Sequence, residues 1–150
     1  MEAVIFTGIQ GAGKSSFYRE RFFFTHVRIN LDMLRTRHRE TLLLRACIEG
    51  KQPFVVDNTN PTREERARYI AGARAAGFRI VGYYFESATE DALRRNEERP
   101  PEQRVPVVGV LGTRKRLEPP TLAEGFDGLH VVRLGADNVF TVQEWRSGAG

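Results

Sequence analysis

Near the start of the chain, Gly8-Ile9-Gln10-Gly11-Ala12-Gly13-Lys14-Ser15 has the spacing of a phosphate-binding loop: a glycine, four residues, then Gly-Lys-Ser. Glycines let the backbone curl through positive φ. The curled N–H groups and a following helix N-terminus then face an anion. In that arrangement Gly11, Ala12, Gly13, Lys14, Ser15 and Ser16 surround the phosphates. Lys14 reaches the β- and γ-phosphates, and the Ser15 hydroxyl sits on Mg²⁺. The opposing reading is a glycine-rich turn that binds nothing; the Lys, the Ser and the apolar run before the loop together weigh against it. Two acids follow at suggestive places. Asp57 comes directly after Phe54-Val55-Val56, an acid at the tip of an apolar run. Asp32 stands three residues before Arg35, and on spacing alone the pair reads as a helix-capping acid with an i,i+3 ion pair on one helical face. Further on, Arg94, Arg95 and Arg99 end a basic segment before Pro100-Pro101. That is the form of a lid over a triphosphate, and equally of a solvated helix whose arginines favour its C-terminal dipole.

The elements that must position these residues follow from the apolar pattern. Ala3-Val4-Ile5-Phe6 is a buried strand, and Ser16 to Arg21 continues the loop as a helix. Thr25 to Asn30 alternates, with Val27 and Ile29 on one face, and reads as a second strand. A helix is expected from about Leu34 to Glu49, its Leu-rich second half largely buried and Gly50 its C-cap. Gln52 to Asp57 is a third strand. Asn60 caps and Pro61 opens a helix running to about Ala76, so turn chemistry alone accounts for Asn58 and Asn60. Phe78 to Phe85 is the fourth strand. Thr89 caps a helix reaching Arg99, Val105 to Arg116 is a further helix, and Leu122 to Asp127 is a loop. Leu129 to Leu134 is the fifth strand. The tail, about 136–150, is expected to be poorly defined, fraying at Ser147-Gly148-Ala149-Gly150. Strands alternating with helices imply one α/β domain over 1–150, with a mostly parallel central sheet of about five strands flanked by helices. Sites in such sheets lie outside the carboxyl ends of the strands. Gly8, Asp32 and Asp57 each follow a strand, so they are expected to meet.

Composition narrows the classes. The chain has 150 residues, 41% of them hydrophobic, enough for one domain with a core. No apolar run approaches the ~20 residues that span a membrane, and the first residues lack the pattern of a signal peptide. A cytoplasmic protein is the expectation. The single cysteine, Cys47, reads as a buried inert thiol. His26, His38 and His130 have no partner at metal-ligand spacing. The formal charge is +4, and arginine greatly outnumbers lysine. Arginine forks suit phosphates and bases, so the bias fits an anionic partner, or else reflects the composition of the source genome.

Five segments in order carry a family resemblance: the phosphate loop with Ser16, Asp32-Met33-Leu34-Arg35, Val56-Asp57-Asn58-Thr59-Asn60-Pro61, Arg95-Asn96-Glu97-Glu98-Arg99, and Pro119-Pro120-Thr121-Leu122-Ala123-Glu124-Gly125-Phe126. Together they resemble the kinase domain of 5′-hydroxyl polynucleotide kinases, from about residue 3 to residue 132. The resemblance implies a P-loop kinase with an Arg-bearing lid, using ATP and Mg²⁺ on the 5′-hydroxyl ends of DNA or RNA. It makes Asp32 the general base and gives Arg35 the acceptor phosphate. Lys14 and Ser15 hold the ATP phosphates and Mg²⁺. Asp57 reaches Mg²⁺ through water and, with Asn58 and Asn60, borders the substrate. Arg95 and Arg99 act from the lid, Arg99 steadying the transferred phosphoryl group. The chain departs from the bifunctional members in having no Asp-x-Asp phosphatase motif, so 3′-phosphatase activity is not expected. Residues after 133 match no motif. Two other readings use the same residues: a small-metabolite or antibiotic kinase with a closed acceptor cleft, and a non-catalytic ATP-binding module.

Overall fold

The computed structural model describes residues 1–145; the tail end Ser147-Gly148-Ala149-Gly150 lies outside them. Its centre is β1 (Glu2–Thr7), in which Ala3 to Thr7 are all buried, as in a strand covered on both faces. Around it lie α1 (Lys14–Arg21), β2 (Val27–Ile29), α2 (Leu31–Leu34), α3 (Arg37–Glu49), β3 (Phe54–Val56), α4 (Arg63–Ala75), β4 (Arg79–Phe85), α5 (Thr89–Glu97), α6 (Val107–Arg116), β5 (Gly128–Leu134) and β6 (Phe140–Glu144), with short 3₁₀ turns at Pro101–Gln103 and Leu122–Glu124.

The six strands form one sheet in the order β2-β3-β1-β4-β5-β6. All neighbours are parallel except β5 and β6. The strand order reverses at β1, which has β3 on one side and β4 on the other, and in an open α/β sheet that switch point opens a crevice beyond the carboxyl ends. The pleat sorts the core into two layers. Ala3 and Ile5 face Tyr69, Ile70 and Ala73 of α4, with Ile29, Phe54, Val56 and Ile80. Val4 and Phe6 face Phe17 of α1, Ala92 of α5 and Val110 of α6. Rings dominate this second layer: Phe6 lies 4.8 Å from Phe85 and 5.9 Å from Phe17. Cys47 is buried, and burial raises its thiol pKa. Among the described residues no helix is long and apolar enough to cross a membrane.

Several expectations change. The helix expected from about Leu34 is two helices, because Arg35 takes φ +76° and ends α2, a backbone that an α-helix cannot continue. Asp32 and Arg35 therefore do not share one helical face. In α3 only Glu40 and Cys47 are buried, and Leu42 is 48% exposed, so the Leu-rich half lies over the sheet edge rather than inside it. Asn60 does not cap α4. It sits at φ +43°, and Thr62 caps instead, its Oγ1 accepting from the Glu65 N–H at 3.2 Å. Ala88, not Thr89, is the residue before α5. The tail expected to be poorly defined supplies a sixth strand: β6 pairs with β5 from His130–Glu144 to Leu134–Phe140, and Phe140 packs its ring 5.1 Å from Phe17.

Candidate active site

The phosphate loop joins β1 to α1. Gly11 and Gly13 have φ of +83° and +98°, where an L side chain is strained. A Cβ on Gly11 would also collide with the Ala92 carbonyl, and one on Gly13 would lie 3.1 Å from Phe140. No side chain caps α1, and its first turn holds no acid. Its N-terminal N–H groups and the positive end of its dipole are thus left for an anion.

Lys14 is buried and donates to the carbonyls of Gly8 at 2.8 Å and Ile9 at 2.7 Å. Burial lowers its pKa to about 8; Asp57 and Asp32 oppose the shift and Arg99 adds to it. Asp57, at the tip of β3, stands beside Ser15 of α1, and Asp32 on α2 follows β2, the neighbouring strand. Ser15 Oγ donates to Asp57 Oδ2 at 3.0 Å. Ser16 is exposed and accepts from Arg19.

The turn after β3 is fixed from three sides. Asn30 Nδ2 donates to the Asp57 carbonyl at 2.6 Å, while Asn30 Oδ1 accepts the Met33 N–H at 2.9 Å. Asn58 Oδ1 accepts the Leu31 N–H at 2.8 Å, and Asn58 Nδ2 donates to Glu40 Oε2 at 3.0 Å. Asn60 Nδ2 donates to the Phe6 carbonyl at 2.8 Å, and Gly8 N–H donates to the Thr59 carbonyl at 3.0 Å. Asn58 and Asn60 were expected to border substrate. Both amides are instead committed inside the fold, where they hold the Asp57 turn against the phosphate loop and α2.

Asp32 and Arg35 lie exposed on and after α2, and Arg99 is half-buried beyond α5. Among the described residues none of these three side chains has a hydrogen-bond partner in the fold. Arg95 is different. It donates to the carbonyls of Gly11 at 3.3 Å and Leu134 at 3.4 Å and to Ser87 Oγ at 3.4 Å. It thus spans from the loop to β5. Beside it lies an open cleft of about 210 Å³ lined by Glu86, Ser87, Ala88, Asp91, Arg133 and Leu134.

Three groups were missed by sequence reasoning. Arg28 donates to Asp57 Oδ2 at 2.9 Å and to Ser15 Oγ at 3.0 Å. Its signal was the alternation itself, because Val27 and Ile29 on one face leave Arg28 on the other. Glu40 is 1% exposed and takes hydrogen bonds from Arg37 at 2.8 Å and from the Tyr69 hydroxyl at 3.2 Å; burial, and after it Glu40, raises the Tyr69 pKa. Arg66 is wholly buried in a two-point pair with Glu124, at 2.8 and 3.0 Å.

Comparison with known proteins bears on the fold and the family. A family model described as an AAA domain matches residues 35–120, more than half of the chain. The chain is 28% identical over 138 residues to the bifunctional polynucleotide phosphatase/kinase of Schizosaccharomyces pombe, a match covering 87% of this chain and 33% of that protein. It thus spans about a third of the length of the curated relative it matches. In three dimensions it is similar to Kti12 of Chaetomium thermophilum, solved with ADP-AlF3, with a TM-score of 0.70 at 15% identity over 91% of this chain and 92% of that one. It is also similar to a gluconokinase of Sinorhizobium meliloti, with a TM-score of 0.60 at 19% identity over 87% and 81% of the two chains. The chain belongs to the AAA domain family and has the α/β fold of P-loop kinases.

Proposed function

We propose that the chain transfers the γ-phosphate of ATP to the 5′-hydroxyl end of DNA or RNA in a Mg²⁺-dependent reaction. The observation that carries this reading is the placement of Asp32. It is an exposed carboxylate on α2, just beyond the tip of β2, and its side chain has no hydrogen-bond partner among the described residues. A module that only held nucleotide would have no use for a free carboxylate there. The 28% identity to a polynucleotide phosphatase/kinase supports the choice of acceptor.

In this reading the N–H groups of Gly11 to Ser16 and the Lys14 ammonium take the β- and γ-phosphates. Arg95 and the cleft lined by Ser87 and Leu134 lie on the outer side of the loop, where the base of the nucleotide would rest against a guanidinium plane. Among the described residues no three His, Cys, Asp or Glu side chains form a metal cage. Mg²⁺ does not require one, since it binds few protein oxygens together with substrate phosphates and water. The Ser15 hydroxyl and the Asp57 carboxylate, 3.0 Å apart, are hard oxygens that fit it. Bound there, it would neutralise charge on the phosphates.

Asp32 accepts the proton of the 5′-hydroxyl as that oxygen bonds to the γ-phosphorus. The bond from phosphorus to the β,γ-bridging oxygen breaks, and ADP leaves with its electron pair. The transition state is loose, so Asp32 takes the proton late, when the attacking oxygen has become acidic. Arg35, at the end of α2, would take the acceptor phosphate, and Arg99, whose side chain has no hydrogen-bond partner among the described residues, would meet the transferring group.

The test is transfer of labelled γ-phosphate to 5′-hydroxyl oligonucleotides of DNA and of RNA, with 5′-phosphorylated oligonucleotides and Asp32→Ala as controls. Label on hydroxyl ends alone, lost in the variant, is the expected outcome. The likeness to a gluconokinase favours a small alcohol as the second reading. ATP binding without any labelled oligonucleotide would select it.

A further inference from the structure

Ser15 and Asp57 are already joined by a cation that belongs to the chain. Ile29 packs in the layer with Ile5 and Phe54, so the period of two turns Arg28 toward α1. There its Nε donates to Asp57 Oδ2 at 2.9 Å and its Nη2 to Ser15 Oγ at 3.0 Å, while Ser15 Oγ donates to the same Asp57 oxygen at 3.0 Å. The three groups form a closed triangle. The Asp57 side chain is 1% exposed and that of Arg28 27%. A carboxylate that deeply buried is costly without a paired cation. Lys14, the other cation close by, makes no hydrogen bond to Asp57 and spends two of its three N–H groups on Gly8 and Ile9.

The two oxygens Arg28 holds are the two that would hold Mg²⁺ under the reading above, on which this inference rests. Arg28 donates to one of the two Asp57 oxygens and to the Ser15 hydroxyl, so a dication bound beside them, directly or through water, would meet the guanidinium as a like charge at close range. Arg28 has a way out: its backbone is fixed by pairing with Val55, while its partly exposed side chain lies beside the Tyr18 ring, 6.0 Å from guanidinium carbon to ring centroid.

We propose that Arg28 is the resident counter-cation of the phosphate site and is exchanged for Mg²⁺ when nucleotide binds. Without nucleotide it neutralises Asp57 and holds the Ser15 hydroxyl in place. The Mg²⁺ that arrives with ATP replaces it, and the guanidinium moves toward solvent on the α1 side. Linkage makes this reciprocal: Arg28 weakens Mg²⁺ in the site by the factor by which Mg²⁺ weakens the Arg28 contacts. ATP without Mg²⁺ leaves Arg28 in place, where it forms charge-assisted hydrogen bonds with a phosphate.

The experiment measures the dissociation constant of a fluorescent ATP analogue on the intact chain, in EDTA and in a Mg²⁺ series, for the parent, Arg28→Gln and Arg28→Lys. The ratio of the EDTA to the Mg²⁺ constant is expected to rise about tenfold or more in Arg28→Gln, with Arg28→Lys in between because it keeps the charge. An unchanged ratio in Arg28→Gln overturns the exchange. Should Arg28→Gln not fold, the ¹⁵N-edited Nε–H signal of Arg28 in the parent, assigned by its loss in Arg28→Lys, decides. It is expected to shift with Mg²⁺ and ATP together and to stay with ATP in EDTA; a signal unmoved by both overturns the exchange. If no ATP analogue binds under either condition, the nucleotide reading falls and this inference with it. Binding with an unchanged ratio removes the inference alone.

Discussion

Asn58 links the end of β3 to that of its neighbour β2: its Oδ1 accepts the Leu31 backbone N–H at 2.8 Å. The turn that follows β3 thereby fixes the first turn of α2, which carries Asp32. Asn58 is itself held by Glu40 at 3.0 Å and the Tyr69 hydroxyl at 3.3 Å. Asn58→Ala removes the link and leaves a buried carboxylate short of a donor. Such a loss costs about 1–3 kcal/mol, read by urea denaturation. Because α2 then sits less well defined, turnover is expected to fall by up to about 10²-fold while ATP affinity is kept. Equal falls in both would mean that the phosphate loop itself has moved, and that Asn58 does not act through α2.

Lys14 sets a pH dependence of definite sign. Its pKa in the folded chain, about 8, lies below the ordinary 10.5. Below pH 8 it is charged in both the folded and the unfolded chain, and the cost of burying the charge is fully present. Between pH 8 and 10.5 the unfolded chain holds the proton and the folded chain does not. Stability therefore rises with pH across that window, by roughly 3 kcal/mol for a shift of this size. Function runs the other way, since phosphate requires the charged ammonium. ATP affinity is expected to weaken above pH 8. Calorimetry at pH 9 in buffers of different ionisation enthalpy is expected to show proton uptake on ATP binding, absent in Lys14→Met. Uptake that survives in Lys14→Met would assign the proton elsewhere.

Arg95 and Arg99 are expected to separate in kinetics. Arg95 is tied to Gly11, Ser87 and Leu134, so Arg95→Ala is expected to raise the KM for ATP more than it lowers kcat. Arg99 has no partner in the fold among the described residues and is free for the transferring group. An arginine in cis contributes up to about 10³-fold or more, so Arg99→Ala lowers kcat with the KM for ATP little changed. Asp32→Ala lowers kcat about 10²–10⁴-fold, with ATP affinity intact. Steady-state kinetics on labelled transfer checks all three. A KM effect in Arg99→Ala larger than its kcat effect would exchange the two assignments.

The parts of the site that were legible in the sequence are those written in local patterns. Gly8 to Ser15 is contiguous, and an acid after Phe54-Val55-Val56 falls at a strand tip in any parallel sheet. What stayed hidden depends on distance. Arg28 meets Asp57 29 residues away, and Glu40 meets Asn58 18 away; no spacing rule links such pairs. Asn60 reads as a cap because Asn before Pro is a capping signal. Its left-handed backbone and its bond to Phe6 exist only once β1 and β3 are paired. β6 was hidden for a similar reason. Phe140 and Val142 alternate over only five residues, and what makes them a strand is the open edge of β5 and the contact with Phe17.

The Pro119 to Phe126 stretch, which carried much of the family resemblance, serves the fold through Glu124. Glu124 takes two hydrogen bonds from Arg66 and, through Oε2, the Thr121 N–H at 2.8 Å. Arg66 in turn donates to the Asn60 carbonyl at 2.9 Å, and Asn60 holds Phe6 at the end of β1. A surface pair would contribute little, but here the side chains are 0% and 3% exposed. Removing one partner strands the other charge, at about 3–5 kcal/mol. Arg66→Met and Glu124→Leu are each expected to lose that much by chemical denaturation. The double variant is expected to recover most of the loss, because it leaves no buried charge. It still lacks the bond to Asn60, so ATP affinity is expected to stay reduced while stability returns. Additive losses in the double variant would show that the pair supplies net stability rather than orientation.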